Sequence, residues 1–187
     1  MYETFQKGIN KMKTFVILLF LLTGTFTMAQ DFNKKIFDEK SKKEILVGFC
    51  TREAFADTAF AEWYNLEYDF HRLDTLTLDE IKKLDTLDYN ISIVFATWCS
   101  DTRMHLPPFF KILDYLNFDK NRLKLIGVAR DKIVPEGLEF YDIQFVPTFL
   151  FLKENEIIGK IVEAPSVSLE KDFLSILQEL KTKTQSK

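Results

Sequence analysis

The stretch Ile91-Ser92-Ile93-Val94-Phe95-Ala96-Thr97-Trp98-Cys99-Ser100-Asp101-Thr102-Arg103 decides how the rest of the chain is read. Its first half is a run of apolar and β-branched residues, the pattern of a buried strand. It turns polar at Cys99 and leads into a helical stretch through Leu116, with Asp101 in the first turn, where a negative charge suits the helix dipole. A cysteine at that junction has a chemical meaning. The free N–H groups and positive end of a helix stabilise a thiolate, so Cys99 is a candidate nucleophile.

Downstream, Arg122 to Ala129 reads as a second strand, and Pro135 to Tyr141 as a short helix with proline at its first position. Thr148 to Leu152 and Ile157 to Val162 read as a hairpin across Lys153-Glu154-Asn155-Glu156. Ser168 to Lys181 is amphipathic, with Phe173, Leu174, Ile176, Leu177 and Leu180 on its apolar side. Upstream, Leu78 to Leu87 is a shorter helix with Asp79 and Glu80 in its first turn. Before it, Thr51 can cap a helix whose stripe is Phe55, Ala59, Trp63, Leu66 and Phe70. Glu44 to Cys50 is a short buried strand, and Asp31 to Lys43 is polar and charged. The order β-α-α-β-α-β-α-β-β-α predicts an α/β fold with a central mixed sheet flanked by helices.

Taken with that order, Ile93 to Arg103 resembles the active-site segment of thioredoxins. Trp98 matches the tryptophan before the family's first cysteine, and Pro107 the proline that kinks the active-site helix. Tyr141-Asp142-Ile143-Gln144-Phe145-Val146-Pro147-Thr148-Phe149 resembles the segment that carries the cis-proline. Pro147 would then face Cys99, and Val146 would offer backbone groups to an extended substrate peptide, with Trp98 on the same substrate face. The resemblance covers about residues 88 to 182. It implies a thioredoxin-like fold with an N-terminal strand–helix extension, and a thiol–disulfide oxidoreductase acting on protein or peptide thiols and disulfides. No metal and no organic cofactor is implied.

Two positions depart from the family pattern. The second cysteine is Thr102, a CxxT in place of CxxC, and the buried acid is Ile93. The dithiol mechanism attacks with one thiolate and resolves with the other. Three readings follow. Cys99 works as a monothiol, with Thr102 donating a hydrogen bond to its thiolate and an external thiol resolving the mixed disulfide. Or Cys50 resolves it, provided its strand lies parallel beside Ile91 to Trp98. Or the protein is a catalytically inactive thioredoxin-fold binding module. Around this centre, Asp101 and Arg103 bring opposite charges, His105 is a candidate proton shuttle, and His71 reads as structural.

Composition removes other chemistries. The chain has 187 residues with 25 Lys+Arg, 28 Asp+Glu, two His, two Cys and six Gly. The glycines are too dispersed for a phosphate loop or a dinucleotide turn, and His71 and His105 too far apart for a zinc helix. There is no basic block, so nucleic acid is not an expected partner. Residues 15–26 are largely apolar, preceded by Lys7, Lys11 and Lys13 and followed by Thr27-Met28-Ala29. That is the pattern of a secretory signal. The run is shorter than the roughly 20 residues a spanning helix needs. The expected organisation is a signal peptide over 1–29, an exposed leader over 30–43 and one domain over 44–187. The mature chain keeps 22 basic and 27 acidic residues. Export to the periplasm or beyond is expected, with no stable membrane anchor after cleavage, in a compartment where disulfides persist.

Overall fold

A computed structural model describes residues 31–84 and 87–185. The expected signal segment, residues 1–29, lies outside them. Among the described residues the chain forms β1 (Lys34–Asp38), β2 (Lys43–Cys50), α1 (Thr58–Phe70), α2 (Thr75–Lys82), β3 (Asn90–Phe95), α3 (Ser100–Tyr115), β4 (Leu123–Gly127), β5 (Thr148–Lys153), β6 (Glu156–Val162) and α4 (Leu169–Gln185). The strands make one mixed sheet in the order β1-β2-β4-β3-β5-β6. β3 runs parallel to β4, and the other pairings are antiparallel. This is the expected α/β architecture, with β3, whose residues after Asn90 are all buried, near its centre.

Alternation along the strands sends side chains to two faces. Ile91, Ile93, Phe95, Phe149 and Phe151 enter one cluster, to which every helix contributes: Phe60 and Tyr64, Leu78 and Ile81, Phe109 and Phe110, Phe173 and Leu177. Large rings dominate it, with Phe109 and Phe149 at 4.5 Å and Phe151 and Phe173 at 4.8 Å between centroids. Val94, Ala96, Ile126, Leu150 and Leu152 face the other way, into a smaller cluster completed by Val134, Leu138, Tyr141 and Ile143 of the loop after β4. The helices thus pack on one face, and a loop covers the other.

Five local expectations are corrected. The segment expected as an exposed leader contains β1, which pairs antiparallel with β2 from Lys34↔Val47 to Asp38↔Lys43. Thr51 does not cap a helix. Its N–H and hydroxyl bond the Asn33 side chain at 2.7 and 3.0 Å. A 3-10 turn at Arg52–Ala56 follows, and Asp57 caps α1 by accepting the Ala59 N–H at 2.9 Å. That restart resets the helical phase, so Phe60 and Tyr64 are buried while Leu66 and Phe70 are exposed. The helix expected over Leu78 to Leu87 starts earlier, at Thr75 with Asp74 as its cap, and ends at Lys82. The helix expected over 135–141 is reduced to a 3-10 turn at Glu139–Tyr141. Gly137 and Asp142 hold positive φ of 85° and 46° there, which a helix cannot contain.

Gly127 sits where β2 and β4 press closest. A Cβ on it would lie 2.6 Å from the Leu46 carbonyl oxygen. Only glycine lets the two backbones pair at that spacing.

Candidate functional site

Cys99 stands at the N-cap of α3, with extended backbone (φ −90°, ψ 133°). Its N–H donates to Ala96 O at 2.9 Å, and its carbonyl accepts the Arg103 N–H at 3.2 Å. The bend from β3 into α3 is therefore closed on both sides of the thiol. The Cys99 thiol donates to Val146 O at 3.2 Å. The Val146–Pro147 bond is cis. Two segments some 47 positions apart in sequence meet at one sulfur. Cys99 is partly exposed, while Val146 and Pro147 are buried. Helix α3 continues through Pro107 and Pro108. Their missing N–H groups leave the Arg103 and Met104 carbonyls without their usual partners, a recognised cause of helix bending.

Thr102 is fully buried, and its Oγ1 accepts the Ala96 N–H at 3.2 Å. The expected bond from Thr102 to Cys99 is not among the contacts of the described residues. The hydroxyl instead ties the first turn of α3 to the end of β3. Arg103, whose charge is opposite to that of Asp101, is held to the same bend. Its Nε donates to Thr97 O at 2.9 Å, and its guanidinium lies 5.7 Å from the centre of the Trp63 ring. His105 is half-buried, and burial lowers its pKa from the ordinary value despite the Asp101 and Glu67 carboxylates. His71 bonds the buried Glu170 at 2.9 Å.

Trp98 packs at the edge of the smaller cluster and donates its indole N–H to Val128 O at 3.2 Å. Arg130 lies over its ring at 4.6 Å. Sequence reasoning missed Arg130. It belongs to no motif, and only the loop's path brings it here.

Cys50 lacks the parallel strand beside β3 that the second reading requires. Its strand runs antiparallel to β4, and β4 parallel to β3, so β2 opposes β3 with a strand between. Cys50 is level with Leu125 and hence with Ile93, whereas Cys99 lies beyond the end of β3. The two thiols also belong to opposite faces. Cys50 is in the helix-covered cluster, while Cys99 packs against the loop-covered one. Both are free. Burial pushes the Cys50 thiol up to about 11, against the Gly127 and Asn33 backbone groups that pull it down. It is therefore a small buried hydrophobe.

Among the described residues no cluster of His, Cys, Asp and Glu could hold a metal ion, and no helix is long and apolar enough to cross a membrane.

The sequence is similar to curated proteins. Thioredoxin H9 of Arabidopsis thaliana is 28% identical over 123 residues, covering 63% of this chain and 84% of that protein. Thioredoxin H1 of Arabidopsis thaliana is 33% identical over 99 residues, covering 49% of this chain and 72% of that protein. The chain belongs to the thioredoxin family. Its fold is thioredoxin-like, with the β1–β2 hairpin added at the sheet edge. Among solved structures, the oxidised form of mitochondrial thioredoxin 3 from Saccharomyces cerevisiae aligns at 25% identity, covering 50% of this chain and 85% of that one, with a TM-score of 0.33. No family model matches the sequence. Within the family frame, this thioredoxin-family chain carries Thr102 at the second-cysteine position and Ile93 at the position of the buried acid.

Proposed function

We propose that this thioredoxin-family protein is an exported thiol–disulfide oxidoreductase that works with one thiol, Cys99, on protein or peptide disulfides. The observation that carries the reading is the meeting of Cys99, at a helix N-terminus, with the Val146–Pro147 peptide at 3.2 Å. Family membership supports a thioredoxin-like redox role. In the first step the Cys99 thiolate attacks one sulfur of a substrate disulfide. A new S–S bond forms to Cys99, and the other substrate sulfur leaves as a thiolate. In the second step an external small-molecule thiolate attacks the Cys99 sulfur and expels the remaining substrate thiolate. A second external thiol then frees Cys99 and becomes the oxidised co-product. The substrate disulfide is reduced and two external thiols are oxidised, so the electrons balance. A helix N-terminus is a placement that suits a thiolate nucleophile. Val146 and Pro147 form the wall against which an extended peptide lies, with Trp98 beside it.

The test uses glutathione as the external thiol and insulin as the disulfide. Turnover by the wild type that is lost in Cys99→Ser supports the reading. Equal rates for the two proteins overturn it and leave an inactive binding module. The basic, apolar and small-residue order over residues 7–29 supports export. Mass spectrometry of protein recovered from secreting cells is expected to find Gln30 first, and an intact Met1 in the cytoplasm would refute that part.

A further inference from the structure

A chain of contacts leads from the N-terminal hairpin to the residue next to Cys99. Trp98 is held at two places: its indole N–H bonds Val128 O at 3.2 Å, and the Arg130 guanidinium covers its ring at 4.6 Å. Arg130 is itself fixed by two parallel bonds to Asp38, Nε to Oδ1 at 2.9 Å and Nη2 to Oδ2 at 2.7 Å. Asp38 ends β1, is 8% exposed, and also accepts the Ser41 N–H at 2.8 Å. A guanidinium is planar, so it donates in its plane while its face covers a ring. The two contacts of Arg130 therefore reinforce each other. The carboxylate sets the plane of the guanidinium, and that plane sets the tilt of the indole.

We infer that Asp38 and Arg130 are positioning residues for the Cys99 site, acting through Trp98 to hold the face on which a disulfide substrate rests. This makes the β1–β2 hairpin, which lies outside residues 88–182, part of the substrate-binding apparatus. The inference rests on reading Cys99 as the thiol–disulfide nucleophile. Neither residue touches the sulfur, so the effect falls on substrate affinity and on the mobility of Trp98, not on the chemical step.

The test measures two things on the full chain. Hydrogen exchange of the indole N–H groups is followed by NMR, with the buried Trp63 indole as internal reference. KM and kcat are measured with glutathione and a peptide disulfide. Asp38→Asn is expected to speed exchange at Trp98 about tenfold, to raise KM about three- to tenfold and to leave kcat within about twofold. The Trp63 rate should not change, Asp38→Glu should restore most of both values, and Arg130→Lys should reproduce the loss. Unchanged Trp98 exchange and KM in a folded Asp38→Asn overturns the inference. If Asp38→Asn does not fold, Arg130→Lys decides by the same two readouts. If the wild type shows no turnover, the redox reading fails and Trp98 exchange alone decides the clamp, with no change overturning it.

Discussion

Replacing Thr102 by valine separates the role the structure gives this residue from the role expected of it. Valine has nearly the same shape and lacks only the hydroxyl. Thr102 and Ala96 are both fully buried, and Thr102 Oγ1 accepts the Ala96 N–H at 3.2 Å. Valine therefore leaves a buried N–H without a partner. An orphaned buried donor costs about 1–3 kcal/mol. The bond is at the long end of the normal range, which favours the lower half, about 1–2 kcal/mol. For a domain of this size each kcal/mol moves Tm by about 2–4 °C, so Tm should fall by about 2–8 °C. The assay is urea unfolding together with the rate of Cys99 alkylation by iodoacetamide across pH. Thr102→Val should lose stability and keep its alkylation profile within about twofold, because the hydroxyl is not bonded to the sulfur. Losing a donor that stabilised the thiolate would lower the thiolate fraction at fixed pH, and the higher nucleophilicity of the more basic sulfur offsets part of this, so about one pKa unit would slow alkylation about three- to fourfold. Unchanged stability with alkylation slowed that much would refute the reasoning and return Thr102 to the thiolate. Thr102→Ser keeps the hydroxyl and serves as the control for alkylation.

Three further outcomes follow from the same structure. In native protein at pH 8, iodoacetamide should add one label, at Cys99, and a second only after unfolding. Cys50 is buried and its thiol is pushed up to about 11, so stability should also fall as pH rises from about 9 towards about 11, where the unfolded chain ionises first. That decline should vanish in Cys50→Ala, and rapid native labelling of both thiols would contradict it. Gly127→Ala should destabilise by about 1–3 kcal/mol in urea, since its Cβ meets main-chain atoms of Leu46 that no rotamer change can move. A variant within 0.5 kcal/mol of the wild type, roughly the scatter of a neutral surface change, would show that β2 and β4 can separate freely.

The segments legible in the sequence are those whose neighbours in space are also neighbours in pattern. The apolar run before Cys99, the hairpin of β5 and β6, and the apolar side of α4 each carry their own period. The rest depends on partners far along the chain. Thr51 looked like a helix cap until Asn33 took both its polar groups. The stripe from Phe55 to Phe70 assumed one unbroken helix, and the restart at Asp57 rotated the buried side to Phe60 and Tyr64. The leader hid β1 because an edge strand that buries little needs no apolar alternation: its pattern is exposed except at Ile36 and Asp38. At the site, Cys99, Trp98, Val146 and Pro147 were readable as candidates. The antiparallel sense of β2, which removes Cys50, and the reach of Arg130 were not, since no local spacing encodes either.

The placing of Cys50 and Cys99 against opposite faces of the sheet governs what oxidation can produce. On the one-thiol reading proposed above, the protein has no internal circuit to close. When Cys99 is oxidised to a disulfide, the second sulfur comes from another molecule, so the event is bimolecular and the product is heavier by the mass of that partner. A dithiol protein leaves its substrate and keeps no trace of it. This one is expected to keep its partner until a third molecule releases it. A gel run without reductant would then read as a record of the molecules the protein has met.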